Sequence, residues 1–190
     1  MRRVGGCRGC ARIRVRGQAG EITQLRGKDV VKKGGISAIQ ITPEAGTVKT
    51  REPRMVPLHE HLIDQGFLKF VRARGEGPLF YNTAPPLKAT KADPTNPPRP
   101  RSVKTRERLA DWVRKLGVTD KAIRPNHAWR HTFKRQATRA GIDAGIRDAI
   151  CGHSPRTVAD SYETPTLEDK AEALKRFPRY EVAAEDKDRE

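Results

Sequence analysis

The sequence predicts a mostly α-helical fold with a small antiparallel β-sheet, and two patterns carry that prediction. In the first half, short runs of β-branched or alternating residues stand on either side of a turn at Gly34 and Gly35. In the second half, apolar residues recur at three- and four-residue steps, the period of an amphipathic helix. With 190 residues the chain has the size of one domain and is long enough to bury a core. The expected fold class is therefore α+β.

The sheet is expected to have two short strands, with a basic hairpin between them. The strands are predicted at residues 36–42 and 54–58, and Val30 and Val31 lead into the turn at Gly34 and Gly35. Pro57 marks the second strand as an edge strand or as a strand end, because proline lacks the N–H that a central strand must donate. Residues 44–53 form a charged loop that carries Lys49. A hairpin at this place would project basic side chains.

Four helices are predicted between the sheet and residue 152. The first spans residues 61–72, and a short apolar run follows at 79–81. The other three have apolar stripes at Leu109, Trp112, Val113 and Leu116, then at Trp129, Phe133, Ala137 and Ala140, then at Ile146, Ala149 and Ile150. Gly117, Gly141 and Gly152 are expected to end these three helices, since glycine is the usual residue just past a helix C-terminus.

Two further helices are predicted near the C-terminus. Ser154 is a good N-cap for a helix that runs to Tyr162. Thr166 with Asp169 approximates a capping box for a last helix. That helix has an apolar stripe formed by Leu167, Ala171 and Leu174. The stripe needs a partner, so this helix is expected to pack against something.

Three segments fall outside this pattern. Residues 1–17 are rich in arginine and glycine, show no periodicity, and are expected to be irregular. Residues 82–101 hold six prolines and are predicted to form an extended loop inside a single domain that covers residues 18–180. Residues 181–190 form an acidic tail.

The composition is strongly basic. Lysine and arginine total 39 against 23 aspartate and glutamate, which gives a formal net charge of +16. Such a chain attracts polyanions, of which DNA and RNA are the usual ones, and the alternative is a solvated ribosomal or tail-like protein. No apolar run approaches the roughly 20 residues that a membrane span needs. The N-terminus has no apolar stretch typical of a secretory signal.

The three cysteines do not form a metal-binding pattern. Cys7 and Cys10 make a single CxxC, but no second CxxC or HxxxH supplies the other two ligands that structural zinc usually has. They are interpreted as reduced thiols of a cytoplasmic protein. The sequence therefore predicts neither a metal nor another cofactor.

A histidine and an arginine could together bind a phosphate. His127 and Arg130 lie three residues apart and so share one face of the predicted helix. The guanidinium can donate to two phosphate oxygens, and the imidazole can move a proton. Taken alone, this spacing is a weak signal and is more often a solvated polar face. Likewise, His153 or Tyr162 alone would be read as structural, and Lys49 as a surface lysine.

The order of these residues resembles the tyrosine recombinases of the phage-integrase family. PNHAWRHTF (125–133) and ICGHSPRTVADSY (150–162) match the family pattern HxxRHTF, then GHS, then a tyrosine nine residues beyond the last histidine. Upstream, VKTREPRMVPLH (48–59) resembles the family's β-hairpin, and GEITQLRGKDV (20–30) resembles the segment after its first catalytic arginine. The match extends from residue 20 to residue 178 and implies the family's catalytic-domain fold.

The resemblance implies a role for each of five residues. Tyr162 would attack a DNA phosphodiester and form a 3′-phosphotyrosyl link, a reaction that needs no metal or ATP. Arg130 would stabilise the charge of the phosphorane, and His153 would hydrogen-bond the same phosphate. His127 would act in general acid–base chemistry, and Lys49 would protonate the departing 5′ oxygen.

Two features depart from the family pattern. The family's first arginine is expected in the pattern GxRxGE, and the corresponding RGQAGE (16–21) has Gln18 at that position. A neutral amide there could cost several kcal/mol of transition-state stabilisation. In addition, nothing before Gly20 resembles the family's DNA-clamping domain or the first helix of its catalytic domain. A truncated or degenerate gene with impaired activity is expected.

The resulting functional hypothesis is site-specific recombination or integration of double-stranded DNA. The resemblance also implies self-association on DNA, with the last helix docked on a neighbouring protomer, although packing on its own domain stays open. One alternative is a DNA-binding remnant without catalysis. A more distant one is a helix-turn-helix regulator. A regulator would have no need of the complete set of residues, and His131 is interpreted as a structural neighbour of that set.

Overall fold

The computed structural model describes residues 19–46, 53–83, 99–153 and 164–180, and it has the expected α+β fold. The helices are α1 (Ala19–Thr23), α2 (Glu60–Asp64), α3 (Phe67–Arg74), α4 (Arg101–Lys115), α5 (Pro125–Arg139), α6 (Ala144–Cys151) and α7 (Leu167–Lys175). The strands are β1 (Val30–Lys33), β2 (Ile36–Ile41) and β3 (Arg54–Pro57), with short 3₁₀ turns at Gly27–Asp29 and Pro43–Ala45. Among the helices of these four stretches, none is both long and apolar enough to cross a membrane.

The three strands form one antiparallel sheet in the order β1-β2-β3. Val30 pairs with Ile39, and Ala38 pairs with Pro57. The central strand β2 carries the most deeply buried sheet residues, Ala38, Ile39 and Ile41, none more than 2% exposed. Pro57 therefore lies on an edge strand, as the sequence predicts.

The structure corrects the first predicted helix. Residues 61–72 were expected to form one helix, but the chain forms α2 and α3 with Gly66 between them. Gly66 has φ +86°, a left-handed conformation that no continuous α-helix contains. The break turns α3 so that Phe67 and Val71 enter the core.

The stripe predicted for α4 is correct except at its end. Val113 is buried, whereas Leu116 is 58% exposed. The helix ends at Lys115, and Gly117 has φ +92°. Leu116 therefore lies past the last helical residue and remains exposed to solvent.

One hydrophobic core joins elements from both sides of the segment 84–98. It contains residues of the sheet and α3 together with residues of α5, α6 and α7, among them Ile39, Phe67, Phe133, Ile150 and Leu174. Helix α7 packs against β2, β3 and α6 of its own chain. Its predicted capping box is confirmed: the Thr166 backbone N–H donates to Asp169 Oδ2 at 2.8 Å, and Thr166 Oγ1 accepts from the Asp169 backbone N–H.

Candidate functional site

Helix α5 supplies the first side chain of the candidate site. Pro125 occupies its first turn, where proline costs no hydrogen bond and its restricted φ suits a helix. Phe133 and Ala137 are buried on the core side, 2% and 0% exposed. Arg130 and Lys134 are four residues apart and so lie one turn apart on the same face of the helix.

The C-terminus of α6 positions His153. Gly152 adopts a left-handed conformation with φ +67°, and the backbone N–H of His153 returns to donate to the carbonyl of Asp148 at 2.9 Å. This is the Schellman arrangement that reverses a chain at a helix end. Gly152 is required for a second reason: a Cβ there would come within 2.5 Å of Cζ of Arg54.

Arg130 and His153 meet directly, although 23 residues separate them. Arg130 Nη1 lies 2.8 Å from His153 Nε2, and Arg130 Nη2 donates to the backbone carbonyl of Cys151. A guanidinium can only donate, so Nε2 of His153 is the acceptor in this contact. A neutral His153 ring must then carry its proton on Nδ1. The structure thus brings together two residues that the sequence assigned to one site.

Asp148 and Lys134 surround the other nitrogen of the His153 ring. His153 Nδ1 lies 3.0 Å from Asp148 Oδ1, and Lys134 Nζ lies 2.7 Å from the same oxygen. Lys134 Nζ is also 3.3 Å from Nδ1 itself. Burial alone would raise the pKa of Asp148, but the hydrogen bonds from Lys134 and His153, together with electrostatic attraction to Lys134, outweigh burial and lower this pKa. Asp148 is therefore a carboxylate at neutral pH.

Sequence reasoning missed both Lys134 and Asp148. A signal for Lys134 was present, because a residue four positions after Arg130 must share its helix face. Asp148 was harder to find, since it reaches His153 only once Gly152 turns left-handed and folds the chain back. The side chain and the backbone carbonyl of Asp148 then both hold His153.

The remaining predicted site residues have different outcomes. His127 is exposed on α5, and its ring stands edge-on to that of His131, with 4.8 Å between the centroids. Gln18, Lys49 and Tyr162 lie outside the described residues. Their predicted roles therefore stay predictions.

An ion pair beneath the site was also missed. Arg54 Nη2 on β3 lies 2.5 Å from Oε2 of Glu21 on α1, and only 10% and 4% of these side chains are exposed. The guanidinium of Arg54 lies against Gly152, so the pair connects the sheet to the turn that carries His153. Lys170 is buried nearby on α7, and burial followed by the like charge of Arg54 lowers its pKa.

The donor set of the site suits an oxyanion. Arg130 and Lys134 present N–H donors, and within the described ranges no group of three or more histidine, cysteine, aspartate or glutamate residues could hold a metal ion. Cys7 and Cys10 lie outside those ranges. The N–H groups of Arg130 and Lys134 can donate hydrogen bonds to a phosphate or another oxyanion.

Comparison with known proteins places the fold. No protein-family model and no curated protein sequence matches this chain. Among solved structures, the integrase from mycobacterium phage Brujita is similar, with a TM-score of 0.57 and 16% sequence identity. The fold is integrase-like. The similarity covers 94% of this chain and 53% of that protein, so this chain spans about half the length of that integrase.

Proposed function

We propose that this chain is a tyrosine recombinase that cleaves and rejoins double-stranded DNA. The observation that carries the proposal is the meeting of Arg130 and His153 at 2.8 Å, on a chain of net charge +16 with an integrase-like fold. A guanidinium beside an imidazole offers a phosphodiester both charge and hydrogen bonding. The proposal includes a single catalytic domain over residues 18–180, a cytoplasmic location and self-association on DNA.

The proposed reaction exchanges one phosphate ester for another. The Oη atom of Tyr162 attacks the phosphorus, the bond from phosphorus to the 5′ oxygen breaks, and a 3′-phosphotyrosyl ester remains. His127 takes part in moving the tyrosine proton, and Lys49 protonates the leaving 5′ oxygen. Arg130 stabilises the charge that develops on the non-bridging oxygens. Attack by a 5′ hydroxyl reverses these steps and rejoins the strand.

A nicked duplex tests this proposal. The nick lies a short distance to the 3′ side of the cleavage site, so cleavage releases the short fragment between them. That fragment carries the 5′ hydroxyl needed for rejoining. Once it is lost, rejoining stops and the covalent complex accumulates as a band on a denaturing gel. We expect this band with the full chain and its complete loss in Tyr162→Phe, with DNA binding nearly unchanged. Arg130→Ala should also lose the band, whereas Arg139→Ala, a change in the exposed last turn of the same helix, should retain it. A band that survives Tyr162→Phe would overturn the assignment of the nucleophile.

Gln18 favours a second candidate, a DNA-binding protein that does not cleave. The amide at the position of the family's first arginine supplies no charge-assisted bond to the phosphate, so cleavage should be slow. Under this alternative, binding should still weaken steeply with salt, while no covalent band forms even in Gln18→Arg. A band that is weak in the unmodified chain and stronger in Gln18→Arg supports the enzyme and assigns the missing ligand to residue 18.

A further inference from the structure

We propose that Lys134 and Asp148 are positioning residues for His153. Asp148 accepts a hydrogen bond from Nδ1 when Nδ1 is protonated, and Lys134 donates one to Nδ1 when it is not. Nε2 of His153 can therefore change from acceptor to donor while Nδ1 keeps a partner. The pair would hold the ring in place while its other nitrogen exchanges Arg130 for a DNA phosphate. This inference rests on the proposed function, because that function gives His153 a phosphate oxygen to contact.

In the first arrangement, without DNA, Nε2 is the acceptor. Arg130 Nη1 donates to it across 2.8 Å, and the ring proton therefore resides on Nδ1. Asp148 Oδ1, 3.0 Å away, accepts that proton. The lowered pKa of Asp148 keeps this acceptor ionised at neutral pH.

In the second arrangement, with a phosphate bound, Nε2 must donate. Unprotonated phosphodiester oxygens only accept hydrogen bonds, so His153 can contact one only when Nε2 carries a proton. If the neutral ring moves its proton from Nδ1 to Nε2, the bare Nδ1 would face the carboxylate of Asp148, and two acceptors repel. Lys134 Nζ removes this difficulty, because it lies 3.3 Å from Nδ1 and has three N–H groups to donate. If the ring instead gains a second proton, Asp148 remains the partner of Nδ1.

Geometry and exposure favour this switch over a fixed structural role. Asp148 holds His153 through its side chain and through its backbone carbonyl, so the ring nitrogen Nδ1 stays in place when Nε2 changes partner. The side chains of His153 and Lys134 are 33% and 29% exposed, which leaves the ring accessible to a ligand. Lys134 donates to Asp148 at 2.7 Å and needs no large movement to donate to Nδ1 as well.

The first experiment measures the tautomer and does not depend on cleavage. The full chain, labelled with ¹⁵N-histidine, is observed by two-bond ¹H–¹⁵N correlation, and the His153 signals are identified by their loss in His153→Gln. We expect the Nδ1–H pattern in the unmodified chain. In Asp148→Ala the acceptor for Nδ1–H is lost and Lys134 is left to donate to Nδ1, so it competes with the donation from Arg130 to Nε2 and the pattern should shift towards Nε2–H. Asp148→Asn keeps the shape of the side chain and should give a mixture, because its amide can accept from or donate to Nδ1. Asp111→Ala, an exposed acid on α4, is the control and should not change the pattern.

An Asp148→Ala or Asp148→Asn spectrum identical to that of the unmodified chain would overturn the inference. The proposed function would be unaffected by that result, since the tautomer is measured without DNA. Conversely, a confirmed tautomer with no covalent band in any variant would leave the positioning of His153 intact and would count against the recombinase proposal.

The second experiment tests Lys134 on the nicked duplex at saturating DNA. We expect Lys134→Met to lower the rate of covalent-complex formation about tenfold, the effect of losing one charge-assisted hydrogen bond. Lys115→Met removes an equal charge from an exposed position on α4 and should weaken DNA binding to a similar degree without lowering that rate. Equal rates in Lys134→Met and Lys115→Met would overturn the role of Lys134.

Discussion

Two ionic clusters lie close to Gly152, and they differ in exposure. The buried pair, Glu21 and Arg54, is only 4% and 10% exposed and connects α1 to β3. The site cluster comprises Arg130, Lys134, Asp148 and His153, and the last three of these side chains are between 17% and 33% exposed. The first cluster is buried, whereas the second is partly accessible to solvent.

This difference separates scaffold from site. Removing one member of a buried ion pair leaves a charge without water and is strongly unfavourable, so the buried pair has one stable arrangement. Partly exposed groups can exchange a protein partner for water or a ligand at small cost. The site cluster can therefore rearrange around a phosphate, while the buried pair keeps the turn that carries His153 in place.

The largest expected effect follows from breaking the buried pair. Glu21→Ala should lower the free energy of unfolding by about 3–5 kcal/mol, because Arg54 would keep its charge without a carboxylate. Chemical denaturation monitored by circular dichroism measures this change. Glu172→Ala removes a carboxylate from an exposed pair with Lys175 and is expected to leave the unfolding midpoint unchanged. If the two variants lose similar free energy of unfolding, the pair of Glu21 and Arg54 does not stabilise the fold more than an exposed ion pair does.

Gly152→Ala should have the next largest effect. A non-glycine residue in a left-handed conformation costs about 1–2 kcal/mol, and here the new Cβ would also displace Arg54. Gly141→Ala is a matched control, since Gly141 has φ +66° but nothing within 4 Å of its would-be Cβ. The excess loss at residue 152, measured by denaturation, reports the Arg54 contact. This excess should become smaller when Arg54→Ala is added to both variants. An excess that persists without the Arg54 side chain would show that a clash with Arg54 is not its cause.

Lys170→Met should stabilise the protein by about 1 kcal/mol, because it removes a buried charge that lies near Arg54. The folded-state pKa of Lys170 lies below its ordinary value of 10.5. Between the folded-state pKa and 10.5, the unfolded chain therefore binds more protons than the folded protein, and the unmodified protein gains stability as the pH rises. The advantage of Lys170→Met should accordingly decrease as the pH rises from neutral towards 10.5. Melting temperatures across that range test this, and a pH-independent difference would refute it.

The smallest effect is expected at Asp148. Its folded-state pKa lies below its ordinary value of 3.8, so its contribution is fully present above pH 3.8 and is lost as the pH falls through the folded value. Asp148→Ala should cost roughly 0.5–1 kcal/mol at neutral pH, and the difference should vanish in strong acid. Unfolding midpoints in a pH series provide the measurement. In the control Asp111→Ala, the unfolding midpoint should depend on pH in the same way as in the unmodified chain. If the midpoint of Asp148→Ala also keeps a constant difference from that of the unmodified chain at every pH, the predicted contribution of Asp148 is wrong.

Local signals in the sequence were sufficient for much of this molecule. The turn at Gly34 and Gly35, the helix end at Gly152 and the capping box at Thr166 each depend on residues within one or two turns, and the structure has all three. The α+β class follows from the same local patterns. Two predictions failed, the continuous helix at residues 61–72 and the burial of Leu116. The sequence shows a glycine at residue 66, but it does not show that this glycine adopts a left-handed conformation.

The sequence by itself determined which residue types are available for a phosphate site, and the spacing of Arg130 and Lys134 on one helix face. Only the tertiary structure decided that Arg54 pairs with Glu21, 33 residues earlier, and that Arg130 reaches His153. Such contacts depend on how α1, β3, α5 and α6 pack around the common core, and no local propensity encodes that packing. Side-chain hydrogen bonds across the core form only after burial has placed the elements, so they follow from the fold as a whole.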